Sequence, residues 1–343
     1  MKVITSCNLP FALAHGGVQN LIEAVTRELL ALGVEVEPER WWDERQTGDV
    51  LHYFGRPPLV QHVRFALQKG RRVVMFESLD QTASRSRLAL FGQRALTRLA
   101  RTALPGLTGR LAWEVYRELD AMIYVTPIEW AAAQYLFDAD PARGHVIGHG
   151  LTEAALAALG APEPAGDYLV SVATIAQRKN SVRLAQAARA AQVPVVFVGK
   201  PYAADDPYFR EFQALVDGRF VRYPGFVTEA EKFRWLRGAR GFVLGSQFES
   251  GCIAVYEAAA AGLPMLLSDL PWAAQVYGGV PGIEFVAPES AVLAERLKAF
   301  YERARRQRQS TFPVPSWREI ARKYLAVYET VLGARPPHSL PKP

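Results

Sequence analysis

Short apolar runs alternate along this chain with longer stretches whose apolar residues recur at helical spacing. Runs of the first kind predict buried strands at Met1–Ser6, Arg71–Phe76, Asp120–Val125, Tyr168–Val172, Val195–Gly199 and Gly241–Leu244. The second kind is clear over Val18–Leu32, where Leu21, Ile22, Val25, Leu29 and Leu32 share one face before Gly33 ends the helix. Further helices are predicted over Pro127–Phe137, Ser181–Ala191 and Ser290–Arg305, and from Thr228, Ile253 and Ser316 onward. Strand, glycine loop, helix and strand in repeated succession predict an α/β protein built from doubly wound, Rossmann-like domains.

At 343 residues the chain is long for one core and comfortable for two domains. The Ala- and Pro-rich stretch 152–166 predicts a linker between a first domain, 1–151, and a second, 167–315, with a disordered tail over 334–343. Neither a long apolar span nor a cleavable leader is evident, which predicts a cytoplasmic protein. Cys7 and Cys252 lack metal-ligand spacing and read as reduced thiols. The net charge of +6 favours an anionic partner. No helix-turn-helix, zinc-finger or RNA-binding signature accompanies it, so nucleic acid is not expected.

The stretch Gly241–Pro264 concentrates the candidate chemistry. A buried strand runs into a polar turn, then into an Ala-rich helix that Gly262-Leu263-Pro264 stops. Glu249 precedes the helix and Glu257 lies inside it, with seven residues between. The amides of Gly251, Cys252 and Ile253 are first-turn donors suited to phosphate, while carboxylates suit sugar hydroxyls. Arg178 and Lys179 occupy an equivalent turn after Tyr168–Val172, where a diphosphate would meet two cations and a helix dipole.

This pattern of two glutamates, with seven residues between them and followed by small residues and Gly-Leu-Pro, resembles the signature of family 4 of the retaining glycosyltransferases. The resemblance implies a GT-B fold: two Rossmann-like domains facing a deep cleft, with a final Ser-Trp helix (316–333) returning to the first domain. It implies that Glu249 contacts the donor sugar, that Glu257 holds the ribose, and that Arg178 and Lys179 neutralise the leaving diphosphate. Ser250, Gly251, Cys252 and Ile253 would line the donor phosphates, Phe226 and Val227 the nucleobase, and Gly16 and Gly17 the phosphate side of the first domain. His52 stands where the family places a histidine against the transferred sugar, although the family's second histidine position is Phe54 here; it reads either as that contact or as a strand-end histidine bonded to backbone.

The implied activity is transfer of a hexose from a nucleotide diphosphate sugar to an acceptor hydroxyl on a glycan or lipid-linked glycan, in cell-envelope polysaccharide synthesis. The acceptor would attack from the leaving group's own face, with no cofactor and no metal. Asp138-Ala139-Asp140 matches a metal-binding pattern but sits in a loop before Pro141, away from a strand end. A nucleotide-sugar 2-epimerase or a catalytically silent binding subunit are the alternatives, since Phe54, Glu77, Thr174 and His149 depart from the family pattern. Finally, helix 85–103 carries Arg87, Arg94, Arg98 and Arg101 on one side and Leu88, Ala95, Leu96, Leu99 and Ala103 on another, with Phe91 at the border. It reads as a basic helix lying on anionic membrane, or as a surface helix with its apolar face on the core.

Overall fold

The computed structural model describes residues 1–7, 16–104, 106, 108, 111–289, 291–304 and 312–333. The predicted tail 334–343 and both end residues of the helix predicted over Ser290–Arg305 lie outside them. Two compact units emerge, Met1–His149 with Trp317–Pro343, and Gly150–Ser316.

The first unit holds six parallel strands: β1 (Lys2–Cys7), β2 (Glu35–Pro38), β3 (Val50–Phe54), β4 (Arg72–Phe76), β5 (Ala121–Tyr124) and β6 (Gly144–Val146), in the order β2-β1-β3-β4-β5-β6. Its helices of two turns or more are α1 (Gly17–Ala31), α2 (Val60–Gln68), α3 (Arg87–Ala103) and α4 (Pro127–Phe137). The central strands β3 to β5 are buried on both faces, which explains why they read as unbroken apolar runs. Thr126 and Glu129 form a capping box at the start of α4, with Pro127 in the first turn. Glu129 also accepts from the amide of Leu79 at 2.9 Å, tying α4 to the segment after β4.

The second unit repeats the plan with β7 (Leu169–Val172), β8 (Val195–Val198), β9 (Val221–Gly225), β10 (Gly241–Leu244), β11 (Met265–Ser268) and β12 (Ile283–Val286), ordered β12-β11-β10-β7-β8-β9. Its helices are α5 (Glu153–Gly160), α6 (Ser181–Ala191), α7 (Pro207–Gln213), α8 (Glu229–Gly238), α9 (Ile253–Ala260), α10 (Pro271–Tyr277) and α11 (Leu293–Arg303). Strand order reverses between β7 and β10, and at such a switch point the loops after neighbouring strands part and leave a crevice. The last helix, α12 (Trp317–Gly333), joins the first unit and packs on α1, and its buried residues include Ile320, Tyr324, Val327 and Tyr328. Among the described residues no helix is long and apolar enough to cross a membrane.

One boundary differs from expectation. The stretch 152–166, predicted as a linker, contains α5, capped by the Thr152 hydroxyl and packed against α8 and α9. Alanines that read as spacer composition have high helix propensity, and here Ala155 and Leu159 find a buried face. The division between units falls instead between His149 and Gly150.

Candidate active site

Two loops leave the carboxyl ends of the adjacent strands β7 and β10, and their side chains meet. Beyond β7 a single 3-10 turn, Gln177–Lys179, leads to Asn180 in the left-handed region (φ 57°) and then into α6. Asparagine tolerates that conformation better than most residues, which lets the chain reverse into the helix. Beyond β10 the loop 245–252 carries Glu249, which is buried. Its carboxylate accepts from the Lys179 ammonium and lies 3.5 Å from the Arg178 guanidinium. The Gln247 amide donates to the Arg178 carbonyl at 2.8 Å, so backbone as well as charge joins the loops.

Behind the loop, α10 supplies a brace. The buried Trp272 indole donates to the Ser246 carbonyl at 2.9 Å, and the buried Tyr277 hydroxyl donates to the Gly251 carbonyl at 2.9 Å. These two contacts were not anticipated from sequence, because nothing local links an aromatic some twenty-six residues downstream to this turn. Their effect is preorganisation: Glu249 is held where its lysine and arginine are, without help from a ligand.

The start of α9 is strained. Gly251 has φ 69° and Cys252 has φ 38°, the second being rare for a residue with a Cβ. None of the hydrogen bonds among the described residues uses the amides of Gly251, Cys252 or Ile253 as donors. Consecutive free amides at a helix N-terminus form an anion-binding end. Burial, reinforced by nearby Glu249, pushes the Cys252 thiol up to about 12, so this cysteine is a neutral packing group and not a nucleophile.

One turn further in, Glu257 is buried on α9. Burial raises its pKa, opposed by Lys232 of α8, whose Nζ lies 2.5 Å from Oε1. Phe226, at the turn after β9, is 74% exposed, with Lys200 Nζ 5.1 Å from its ring centroid; Val227 beside it is half-buried. Gly199, just before Lys200, has φ 152°, and a Cβ there would meet the Ala173 carbonyl oxygen at 2.0 Å. Only glycine permits β8 to end so close to the β7 loop.

Residues 166–303 match the family described as Glycosyl transferases group 1. The match falls within the second unit. Solved structures extend the likeness of fold to both units. A glycosyltransferase from Rickettsia africae is similar at a TM-score of 0.67 and 10% identity, covering 97% of this chain and 99% of its own. Sucrose-phosphate synthase from Thermosynechococcus elongatus gives 0.63 and 16%, covering 98% and 100%. Anabaena HepE, solved in complex with UDP, gives 0.61 and 15%, covering 96% and 98%. At these identities the likeness speaks for the GT-B fold alone. A comparison with curated protein sequences finds no match.

Of the residues expected to form the transferase site, Arg178, Lys179, Ser250, Gly251, Cys252, Ile253 and Glu249 gather around the two stitched loops, and Glu257 follows within α9. Lys232 was missed. It belongs to a helix whose sequence pattern reads as an ordinary surface face, and only the approach of α8 to α9 identifies its partner.

The first unit treats its expected residues differently. Gly16 is extended (φ 167°) at the start of α1 with open space where a side chain would project, and Gly17 opens the helix. His52 is wholly buried. Its Nδ1 lies 2.7 Å from the Tyr328 hydroxyl of α12, and its ring packs on Phe54 and Tyr324. The imidazole is enclosed in this structure, and the partner of its Nδ1 is a side chain rather than the backbone expected of a strand-end histidine. Burial holds its pKa down at about 3, so it is neutral.

Asp138 ends α4 in the left-handed region and pairs with Arg101 and Arg117, while Asp140 caps the following turn through the Ala142 amide. Asp138 is thus engaged by arginines from elsewhere in the first unit, and Asp140 by its own turn.

Helix α3 departs from one of its two expectations: its apolar face does not lie on the core. Arg101 donates to Asp138 at 2.9 Å and to the Phe137 carbonyl at 3.0 Å, and the Arg94 guanidinium stands 4.3 Å from the Tyr135 ring centroid. The arginine edge is therefore turned toward α4. The apolar face points outward, with Leu88 81%, Phe91 63%, Leu96 64% and Leu99 64% exposed. Arginine seats here because its flat guanidinium can stack on Tyr135 and satisfy the carbonyls at the end of α4, which leucine cannot.

Proposed function

We propose that the protein is a retaining glycosyltransferase that moves a hexose from a nucleotide diphosphate sugar to an acceptor hydroxyl on a glycan or lipid-linked glycan. The observation that carries this reading is the Arg178–Lys179–Glu249 cluster beside the free amides of α9, on a unit that matches the group 1 glycosyl transferases. Structures of the same fold that hold UDP and UDP-glucose add weight to it.

In this reading Glu257 accepts hydrogen bonds from the ribose and Glu249 accepts one from a sugar hydroxyl. The amides of residues 251–253 face the diphosphate, and Phe226 and Val227 lie against the base. As the acceptor oxygen bonds to the anomeric carbon, the bond from that carbon to the phosphate oxygen breaks. The acceptor's proton passes to a diphosphate oxygen on the same face. Arg178 and Lys179 stabilise the charge that grows on the leaving group, which is the part of the barrier a protein can most reduce. No protein nucleophile, metal ion or cofactor enters this sequence. Holding the two substrates in reacting geometry supplies much of the rest.

The test is incubation with UDP-, GDP- and ADP-sugars, followed by assay of released nucleoside diphosphate and of the anomeric configuration of the product. Release with retained configuration is expected. A 2-epimer of the donor would make the protein an epimerase, and binding without turnover a silent subunit.

A second reading concerns where this happens. The outward face of α3 favours peripheral contact with anionic lipid, at the inner surface of a membrane in the cytoplasm. From Arg85 to Leu104 the chain carries five arginines and no acidic residue. Leu88, Phe91, Leu96 and Leu99 would enter the headgroup boundary, with exposed Arg87 and Arg98 at the phosphate level. The basic row would repel its own copy, which disfavours self-association through this face. Flotation with phosphatidylglycerol-containing vesicles should recover the protein and should fail for Leu96→Ser/Leu99→Ser; equal recovery of both removes this reading.

A further inference from the structure

The ion pair inside the second unit is lopsided. Glu257 is enclosed on α9, whereas Lys232 keeps more than a fifth of its side chain open, 22% against 7%. The Lys232 ammonium sits 2.5 Å from Oε1 of Glu257. An ammonium carries three N–H donors, and one is spent on that carboxylate. Among the described residues the Lys232 ammonium forms no other hydrogen bond, so donor capacity remains at the surface beside a carboxylate with a second accepting oxygen.

The helix that presents Lys232 is well fixed. Thr228 and Glu231 form a capping box at the start of α8, and Phe233 packs in the core while its ring lies 5.1 Å from Lys232 Nζ. The turn just before α8 carries Phe226 and Val227, the residues assigned to the base. Lys232 therefore lies one turn past that assignment in sequence and beside the ribose-binding carboxylate in space.

A carboxylate accepts and an ammonium donates. Set side by side, they complement two adjacent hydroxyls, one donating to the acid and the other accepting from the base. We propose that Lys232 is a binding and specificity residue of the donor site, forming with Glu257 a clamp for the vicinal diol of a ribonucleoside diphosphate. This deepens the glycosyltransferase reading and rests on it. A purely structural ion pair would neutralise Glu257 and nothing more, and the two roles predict different binding patterns.

The experiment compares wild type with Lys232→Met and Lys232→Arg. Calorimetry would measure the affinities of UDP, GDP and ADP and of their 2′-deoxy and 3′-deoxy forms. For whichever base binds, wild type should prefer the ribose form. Lys232→Met should bind that form about tenfold to a hundredfold more weakly, as expected for loss of a hydrogen bond to a charged group. Its affinity for at least one deoxy form should hardly change, so that the preference collapses. Lys232→Arg, which keeps a charged donor, should retain part of the preference and shows that a folded variant was compared.

Equal weakening toward ribose and deoxy forms would overturn the proposal and leave Lys232 as a neutralising group. Failure of wild type to bind any of these nucleotides would instead overturn the donor reading, and the clamp with it.

Discussion

The two units share one architecture and differ in what they do with a buried acid at the end of a strand. In the first, Glu77 follows β4 and is closed in by its own neighbours. Arg56 donates to Oε1 from Nε at 3.0 Å and from Nη2 at 2.8 Å, and the Tyr116 hydroxyl donates to Oε2. Tyr116 in turn stacks on Phe137 with ring centroids 4.3 Å apart. In the second, Glu249 and Glu257 are buried as deeply, and Lys232 is no more exposed than Arg56, 22% against 26%. The difference is that Arg56 donates to Tyr116 as well as to Glu77, whereas among the described residues the Lys232 ammonium donates to Glu257 alone. A buried carboxylate is thus no sign of chemistry by itself. It becomes a candidate when its partners have capacity left for something else.

The largest test of that contrast is acid. His52 is neutral in the folded first unit, its pKa near 3, whereas an unfolded histidine titrates near 6.5. Below pH 6.5 the unfolded chain gains a proton that the folded chain refuses. Stability present above that value should therefore fall progressively as pH drops toward 3, by roughly 5 kcal/mol across the window. Thermal unfolding followed against pH should show this loss, and His52→Phe should blunt it. A flat profile over pH 6.5 to 4 would mean that His52 is not enclosed.

Next is Glu77→Ala. Removing it leaves the Arg56 charge half-buried beside Tyr116 without its acid, which should cost about 3 to 5 kcal/mol in denaturant unfolding. Nucleotide affinity should be unchanged, and a selective loss of binding would move Glu77 into the functional site. Smaller in energy but larger in consequence is Lys179→Met in the second unit. Turnover of the nucleotide sugar should fall by about 10² to 10³, the scale for losing one preorganised donor at a developing anion. Turnover within threefold of wild type would make the second cluster as structural as the first.

Much of this was legible in the chain itself. The strand Gly241–Leu244, the start of the next helix at Ile253, and the helices Pro127–Phe137 and Ser181–Ala191 coincide with the structure because their signals are local. An apolar run, a cap and a glycine stop act within a few residues. That Arg178, Lys179 and Glu249 belong to one site was legible too, from their like places at strand ends, but their pairing with one another was not.

What could not be read was orientation. A helical wheel separated the arginines of α3 from its leucines, yet it could not say which side faces inward. That depended on Tyr135, the Phe137 carbonyl and Asp138, all supplied by α4. The enclosure of His52 depended on Tyr328, 276 residues away, and the partner of Glu257 on the approach of α8.

The sequence by itself determined the elements, their α/β succession and the residue types gathered at the strand ends, because propensity and hydrophobic period are properties of neighbours along the chain. Only the tertiary structure decided which charges are spent on one another and which remain available, because desolvation and hydrogen bonding are settled by groups that folding alone brings together.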